Sequence, residues 1–252
     1  MKRPLGRGLL LALLALFAGA LAACDGFAAS GEPSDRFVIA PAPGDAEAPP
    51  PEDVQEAAAI IRKRLEGIGL VVHKFEPGAG GRITIEVSGK DAEKAVAGAI
   101  GIKGDLAIRL VDIDALPENT RQGIAPPGSE ILPMADGSMA VAVRKVGGVS
   151  GKRVVKAEAG TDQSIGQPMV MVTFDAAGAS KFAQLSGANV GKPLAIVLDG
   201  KVLSAPVIYE PITGGQAQIS GGFTSEEASQ LAVALQSGAL PVVFTVTEHT
   251  RL

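Results

Sequence analysis

Apolar and polar positions alternate along this chain in two rhythms. Between Glu52 and Glu66, Val54, Ala57, Ala58, Ile61 and Leu65, continued by Ile68, recur on one face at helical spacing, while Arg62, Lys63 and Glu66 occupy another. Gly67 and Gly69 stop that helix. Arg36–Ala40 and Val71–Phe75 are predicted strands, Pro77–Gly81 a turn, and Arg82–Val87 a strand alternating Ile83, Ile85 and Val87 inward. Asp91–Ile100 reads as a short helix and Asp105–Asp112 as a further alternating strand through Leu106, Ile108 and Leu110. Strand, helix, strand, strand, helix, strand predicts a ferredoxin-like α+β unit, one layer of helices over an antiparallel sheet.

The stretch 116–148 is irregular, with Pro126-Pro127-Gly128 and Asp136-Gly137 marking turns. Regularity returns at Met169–Phe174, a strand without charge, after which Asp175 can N-cap a helix over Ala176–Ala188. Leu194–Leu198 and Lys201–Ile208 flank Asp199-Gly200, a hairpin signal because both turn positions need positive φ. Pro206 marks an edge or a bulge, since it cannot donate to a central ladder. Gly214-Gly215 leads into Gln216–Ser220. Thr224 with Glu227 forms a capping box ahead of a helix that buries Ala228, Leu231, Ala232 and Leu235. Gly238 ends it, Pro241 follows, and Val242–Val246 is a last strand.

The N-terminus follows neither rhythm. Lys2, Arg3 and Arg7 precede an unbroken small and apolar stretch from Gly8 to Ala23, the pattern of a secretory signal peptide. The stretch is short for a bilayer, which takes roughly 20 residues. Leu21-Ala22-Ala23-Cys24 resembles a lipobox, which implies lipid on the Cys24 thiol, cleavage before it and acylation of the new terminus. The alternative is an ordinary signal peptide followed by a chance cysteine. Cys24 is the one cysteine of the chain, so no internal disulfide can form. Asp25 resembles the signal that retains lipoproteins on the inner membrane, at its periplasmic face. Gly26–Asp35 reads as a flexible tether.

Loss of Lys2, Arg3 and Arg7 with the signal takes the net charge from −4 to −7. An acidic chain with 4% aromatic residues lacks the cationic grooves and stacking platforms of nucleic-acid binders. No constellation argues for an enzyme, a cofactor or a metal. His73 and His249 form no i, i+4 pair and read as strand or surface histidines. There is no G-x-S-x-G elbow and no phosphate loop. Asp112-x-Asp114 begins like a calcium loop, but the third acid and turn glycine do not follow.

The C-terminal half resembles the large periplasmic domain, P1, of the SecD protein-export family. The resemblance rests on Val190–Val202, Ser204–Ile208, Pro211–Gly215, Gln218–Gly221, Phe223-Thr224 with Glu226–Ala228, and Ser237–Pro241, in order and spacing. Ile60–Gly69 is similar to the first helix of the same domain. The resemblance implies an α+β fold with a ferredoxin-like base and an inserted head. The resulting division is signal peptide 1–23, lipidated cysteine and tether 24–35, base 36–115, head 116–241, and a C-terminal strand 242–252 returning to the base.

It also implies contact with unfolded preprotein or with the SecDF–SecYEG translocon. The proton-driven motor of the family does not carry over, because no second apolar run approaches membrane-spanning length. Asp199, Gly200, Pro206, Gly214, Gly215, Gly221, Gly238 and Pro241 are motif residues explained by turns and caps. Tyr209, Ile212 and Phe223, large apolar residues near turns, are candidates for polypeptide contact, with core packing as the competing explanation. Two functions remain open at this point. One is a tethered accessory of protein export; the other is an envelope scaffold that keeps the fold without a role in translocation.

Overall fold

A computed structural model of the chain describes residues 31–43 and 49–252; Cys24, Asp25 and the signal peptide lie outside the described residues. In chain order the elements are β1 (Asp35–Pro41), α1 (Pro51–Gly67), β2 (Val71–Pro77), β3 (Ile83–Ser88), α2 (Ala92–Gly101), β4 (Leu106–Leu110) and α3 (Pro117–Arg121). They continue with β5 (Ser129–Leu132), β6 (Val141–Arg144), β7 (Val149–Ser150), β8 (Val154–Thr161), β9 (Pro168–Phe174) and α4 (Ala176–Gly187). The chain closes with β10 (Leu194–Leu198), β11 (Lys201–Ser204), β12 (Gln216–Ile219), α5 (Ser225–Ser237) and β13 (Phe244–Arg251).

The first sheet has the order β13-β1-β3-β2, antiparallel throughout. Alternation explains its inner face: Phe37 and Ile39 of β1 and Ile83, Ile85 and Val87 of β3 are buried with Ile61 and Leu65 of α1 and Val96 and Ile100 of α2. This is the ferredoxin-like strand order, with one correction to the sequence reading. The closing edge strand is β13, not 105–112. Leu106–Leu110 instead pairs with β10 along its whole length, from Leu110↔Leu194 to Leu106↔Leu198, and buries Leu106 and Ile108 in a second core. Burial decides the choice: β13 buries Phe244 alone and is exposed beyond it, so it suits an edge.

The second core lies among two further sheets, β11-β10-β4-β7 and β12-β9-β8, with α4 and α5 packed on them. Phe174 and Phe182 meet edge to face, with centroids 5.6 Å apart. Both helix starts follow from local chemistry. Asp175 accepts from Gly178 N at 2.7 Å, and Thr224 and Glu227 cap reciprocally. Helix α5 packs against β8 and β9 and also abuts α1 and α2.

The irregular stretch holds the short α3 and the β5-β6 hairpin, and β8 follows. None of the three strands announces itself by alternation. In β8 only Ala157 is buried, so the sequence Val-Val-Lys-Ala-Glu-Ala-Gly-Thr carries almost no apolar rhythm.

Candidate functional site

The most densely bonded polar site lies where the chain leaves the first sheet after α2 and returns to it after α5. Arg64 occupies the apolar face of α1, three residues after Ile61, and is fully buried. Its Nη1 donates to Ala99 O at 2.9 Å and to Ile102 O; its Nη2 donates to Lys103 O at 3.0 Å and to Gly238 O at 2.8 Å. One side chain therefore binds both crossings. Leu240 N adds a bond to Lys103 O at 2.8 Å. Burial pushes the guanidinium down to about 10, opposed by the nearby Asp199 carboxylate, so it is charged at neutral pH.

Asp199 is more than a turn residue. With Gly200 it has positive φ, 50° and 77°, and it closes the β10-β11 hairpin as the Asp-Gly pair predicts. Its carboxylate also accepts from Lys103 N at 3.0 Å and Asp105 N at 2.7 Å, pinning the hairpin tip to the outgoing crossing. Pro206 follows an irregular register between β10 and β11, and its carbonyl accepts from Leu194 N at 2.8 Å. Strand β11 ends its sheet, and Pro133–Ala135 lies along its outer side through Val202 N to Pro133 O and Ala135 N to Val202 O.

Among the remaining motif residues, Gly215 has φ of +66°, and a Cβ there would lie 2.8 Å from Ala179 Cβ. Gly214 precedes it in the same turn, a side chain at Gly221 would meet the Phe223 ring, Gly238 supplies the carbonyl bound by Arg64, and exposed Pro241 follows α5.

The three contact candidates separate. Tyr209 is 87% exposed. Ile212 and Phe223 are half-buried against the second core, and Ile212 N donates to Ser186 Oγ at 2.9 Å. The two histidines stand on strands. His73 Nε2 lies 2.8 Å from Ser88 Oγ, and His249 stacks on Phe37 with Nε2 2.8 Å from Asp35 Oδ1. Among the described residues no group of three or more His, Cys, Asp or Glu side chains is placed to hold a metal ion. Sequence reasoning passed over Arg64, although its spacing from Ile61 puts it on the buried face.

Comparison with known proteins places this architecture. Residues 129–242 match the family model "SecDF, P1 head subdomain". The protein translocase subunit SecD of Acetobacter pasteurianus is 36% identical over 200 residues, covering 79% of this chain and 38% of that protein. The SecD subunit of Syntrophobacter fumaroxidans is 36% identical over 212 residues, covering 79% and 40%. The chain thus spans about two fifths of the length of these curated relatives. Among solved structures, SecDF in its super-membrane-facing form matches with a TM-score of 0.67 at 30% identity, covering 86% of this chain and 30% of that one. A second, from work on SecDF as a membrane component that enhances protein export, has a TM-score of 0.63 at 31% identity and covers 84% and 98%.

Proposed function

The chain belongs to the SecD protein-export family, and on that premise we propose that it is a membrane-tethered, extracytoplasmic accessory of Sec translocation. In this reading it binds emerging polypeptide or Sec partners, and it acts by contact and not by catalysis. The observation that carries the reading is the extent of the likeness, which runs through the first sheet as well as the second core. Its relatives are translocase subunits. Lipid on Cys24 would supply the tether, and Asp25 favours the inner membrane. No helix among the described residues is long and apolar enough to cross a membrane.

A photo-crosslinking amino acid in place of exposed Tyr209, used in growing cells with a stalled preprotein, tests the proposal. The expected products are adducts with preprotein or a Sec subunit. A chain present at normal level that yields neither, from Tyr209 or from other exposed positions, would favour the envelope scaffold and overturn the export role.

A further inference from the structure

Strand β8 is the outer strand of the sheet β12-β9-β8, and its register with β9 runs evenly from Lys156↔Thr173 to Thr161↔Pro168. At the tip of that hairpin Asp162 N donates to Gln167 O at 2.8 Å, and opposed residues in an antiparallel ladder are bonded to each other at every second position. Counting back from Asp162, residues Gly160, Glu158 and Lys156 bond to β9, so the N–H and C=O of Ala157 and Ala159 point away from it. The far side of β9 agrees. Phe174 N donates to Gly215 O, so Phe174 and Val172 bond toward β12, which leaves Thr173 and Met171 for β8. Among the described residues nothing meets the outward groups of Ala157 and Ala159. Ala157 belongs to the second core, while Val155 and Lys156 before it and Glu158, Ala159 and Gly160 after it are exposed.

The charges on this edge are ordered. Lys156 and Glu158 stand side by side on one face of the sheet, 2.9 Å apart, with side chains 57% and 60% exposed. An ion pair so exposed contributes little by itself, so both charges are free to exchange partners. Two identical strands paired antiparallel about a two-fold axis normal to the sheet keep each side chain on its own face, and the axis then falls at a residue. With the axis at Lys156, lysine faces lysine; at Glu158, glutamate faces glutamate. With the axis at Ala157, Lys156 of each copy faces Glu158 of the other. Ala157 is also an outward-bonding residue, so that same register gives a reciprocal pair of main-chain bonds at the axis. Strand β2, at an edge of the first sheet, carries the same spacing in Lys74 and Glu76, 3.1 Å apart, but it ends on Pro77, which has no N–H to give.

We propose that this edge is a self-association surface: a second copy of the chain adds antiparallel to β8 with the two-fold axis at Ala157, joining two three-stranded sheets into one. Main-chain bonds alone would accept any extended segment. The Lys-Ala-Glu order selects a strand that sets a carboxylate against Lys156 and a cation against Glu158, and β8 of a second copy supplies both. The regular part of the edge is short, because β8 bulges between Val154 and Lys156, so the pairing is weak in solution, with a Kd of about 0.1 mM.

The test is sedimentation equilibrium of the purified full chain in mild detergent over a range of concentrations, with hydrogen exchange across 154–161. A monomer–dimer equilibrium is expected, with amide protection at Ala157 and Ala159 growing with concentration. Lys156→Glu and Glu158→Lys, each alone, set like charges opposite one another and should weaken the dimer about tenfold. Combining the two substitutions restores a complementary order and should restore the dimer. Mixing the two single variants should give a heterodimer tighter than either homodimer, an outcome that damage to the fold cannot produce. Lys74→Glu, on β2, should leave the equilibrium unchanged. A chain that stays monomeric at millimolar concentration, a dimer indifferent to both single reversals, or concentration-dependent protection confined to another strand overturns the assignment.

Discussion

Arg64 is the residue on which the crossing between the two cores depends most. Four carbonyls from three segments converge on its guanidinium, while its Nε is buried without a partner. A buried cation is costly unless its donors are used, and the carbonyls around it are costly once it is gone. Arg64→Ala should therefore destabilise the fold by about 3 kcal/mol or more. Arg64→Lys should restore only part of this, because an ammonium cannot reach four acceptors in the plane of a guanidinium. Urea unfolding of the three proteins measures both; equal midpoints for Arg64→Ala and wild type would refute the assignment. At this scale the sequence was readable where a local rule operated, as at Asp199-Gly200, Asp175 and Thr224–Glu227. Arg64 was readable in part, since its position on the apolar stripe follows from i, i+3 spacing, but its acceptors come from residues 35 to 174 positions away. The second role of Asp199 stayed hidden for the same reason, because Lys103 and Asp105 meet it only after folding.

Among the elements, β13 shows why strand prediction divided as it did. Interior strands such as β3 and β9 bury one side of their alternation, and both were visible. β13, β8 and the β5-β6 hairpin bury little, so their pairing is set by neighbours that periodicity does not reveal. What holds β13 to β1 is the antiparallel ladder from Asp35↔Arg251 to Pro41↔Phe244, with Phe244 buried at one end and the Asp35–His249 pair near the other. The hydrogen bond with His249 is the largest influence holding the Asp35 carboxyl below its usual 3.8, and Ser34 adds to it against the opposing effect of burial. A carboxyl depressed in the folded state contributes stability that is present above its unfolded value and is lost as pH falls through the folded one. Stability should therefore drop as pH is lowered from about 4 toward 2. Asp35→Asn should make that drop shallower by less than one proton's slope, about 1.4 kcal/mol per pH unit. Urea unfolding across this range, with hydrogen exchange at 35–41 as the local readout, checks it. Identical pH slopes would show that the pair does not anchor β13.

For the whole molecule, the decisive question is where the fold is held, because the proposed export role requires it to stay near the membrane. Attachment is read entirely from residues 1–25, and three features there agree: the basic start, the apolar stretch of 8–23 and the cysteine after Leu21-Ala22-Ala23. A chain cut before Cys24 would carry a net charge of −7 and gain no electrostatic affinity for an anionic leaflet, so its retention would have to come from lipid. One acyl chain holds a protein only marginally, whereas a diacylglyceryl group with an added amide-linked chain holds it stably. From Cys24 to the start of β1 the ten intervening residues span at most about 35 Å, so a lipidated cysteine would confine the first sheet to the vicinity of the bilayer surface. Replacing Cys24 with serine should abolish incorporation of radiolabelled palmitate and shift the chain out of the lipid-anchored membrane fraction, without altering the melting of the folded part. Palmitate incorporation at the wild-type level in Cys24→Ser would refute lipidation at this position. Loss of label with unchanged preprotein adducts at Tyr209 would show that contact does not require the tether. Loss of both together would tie the export role to attachment at Cys24.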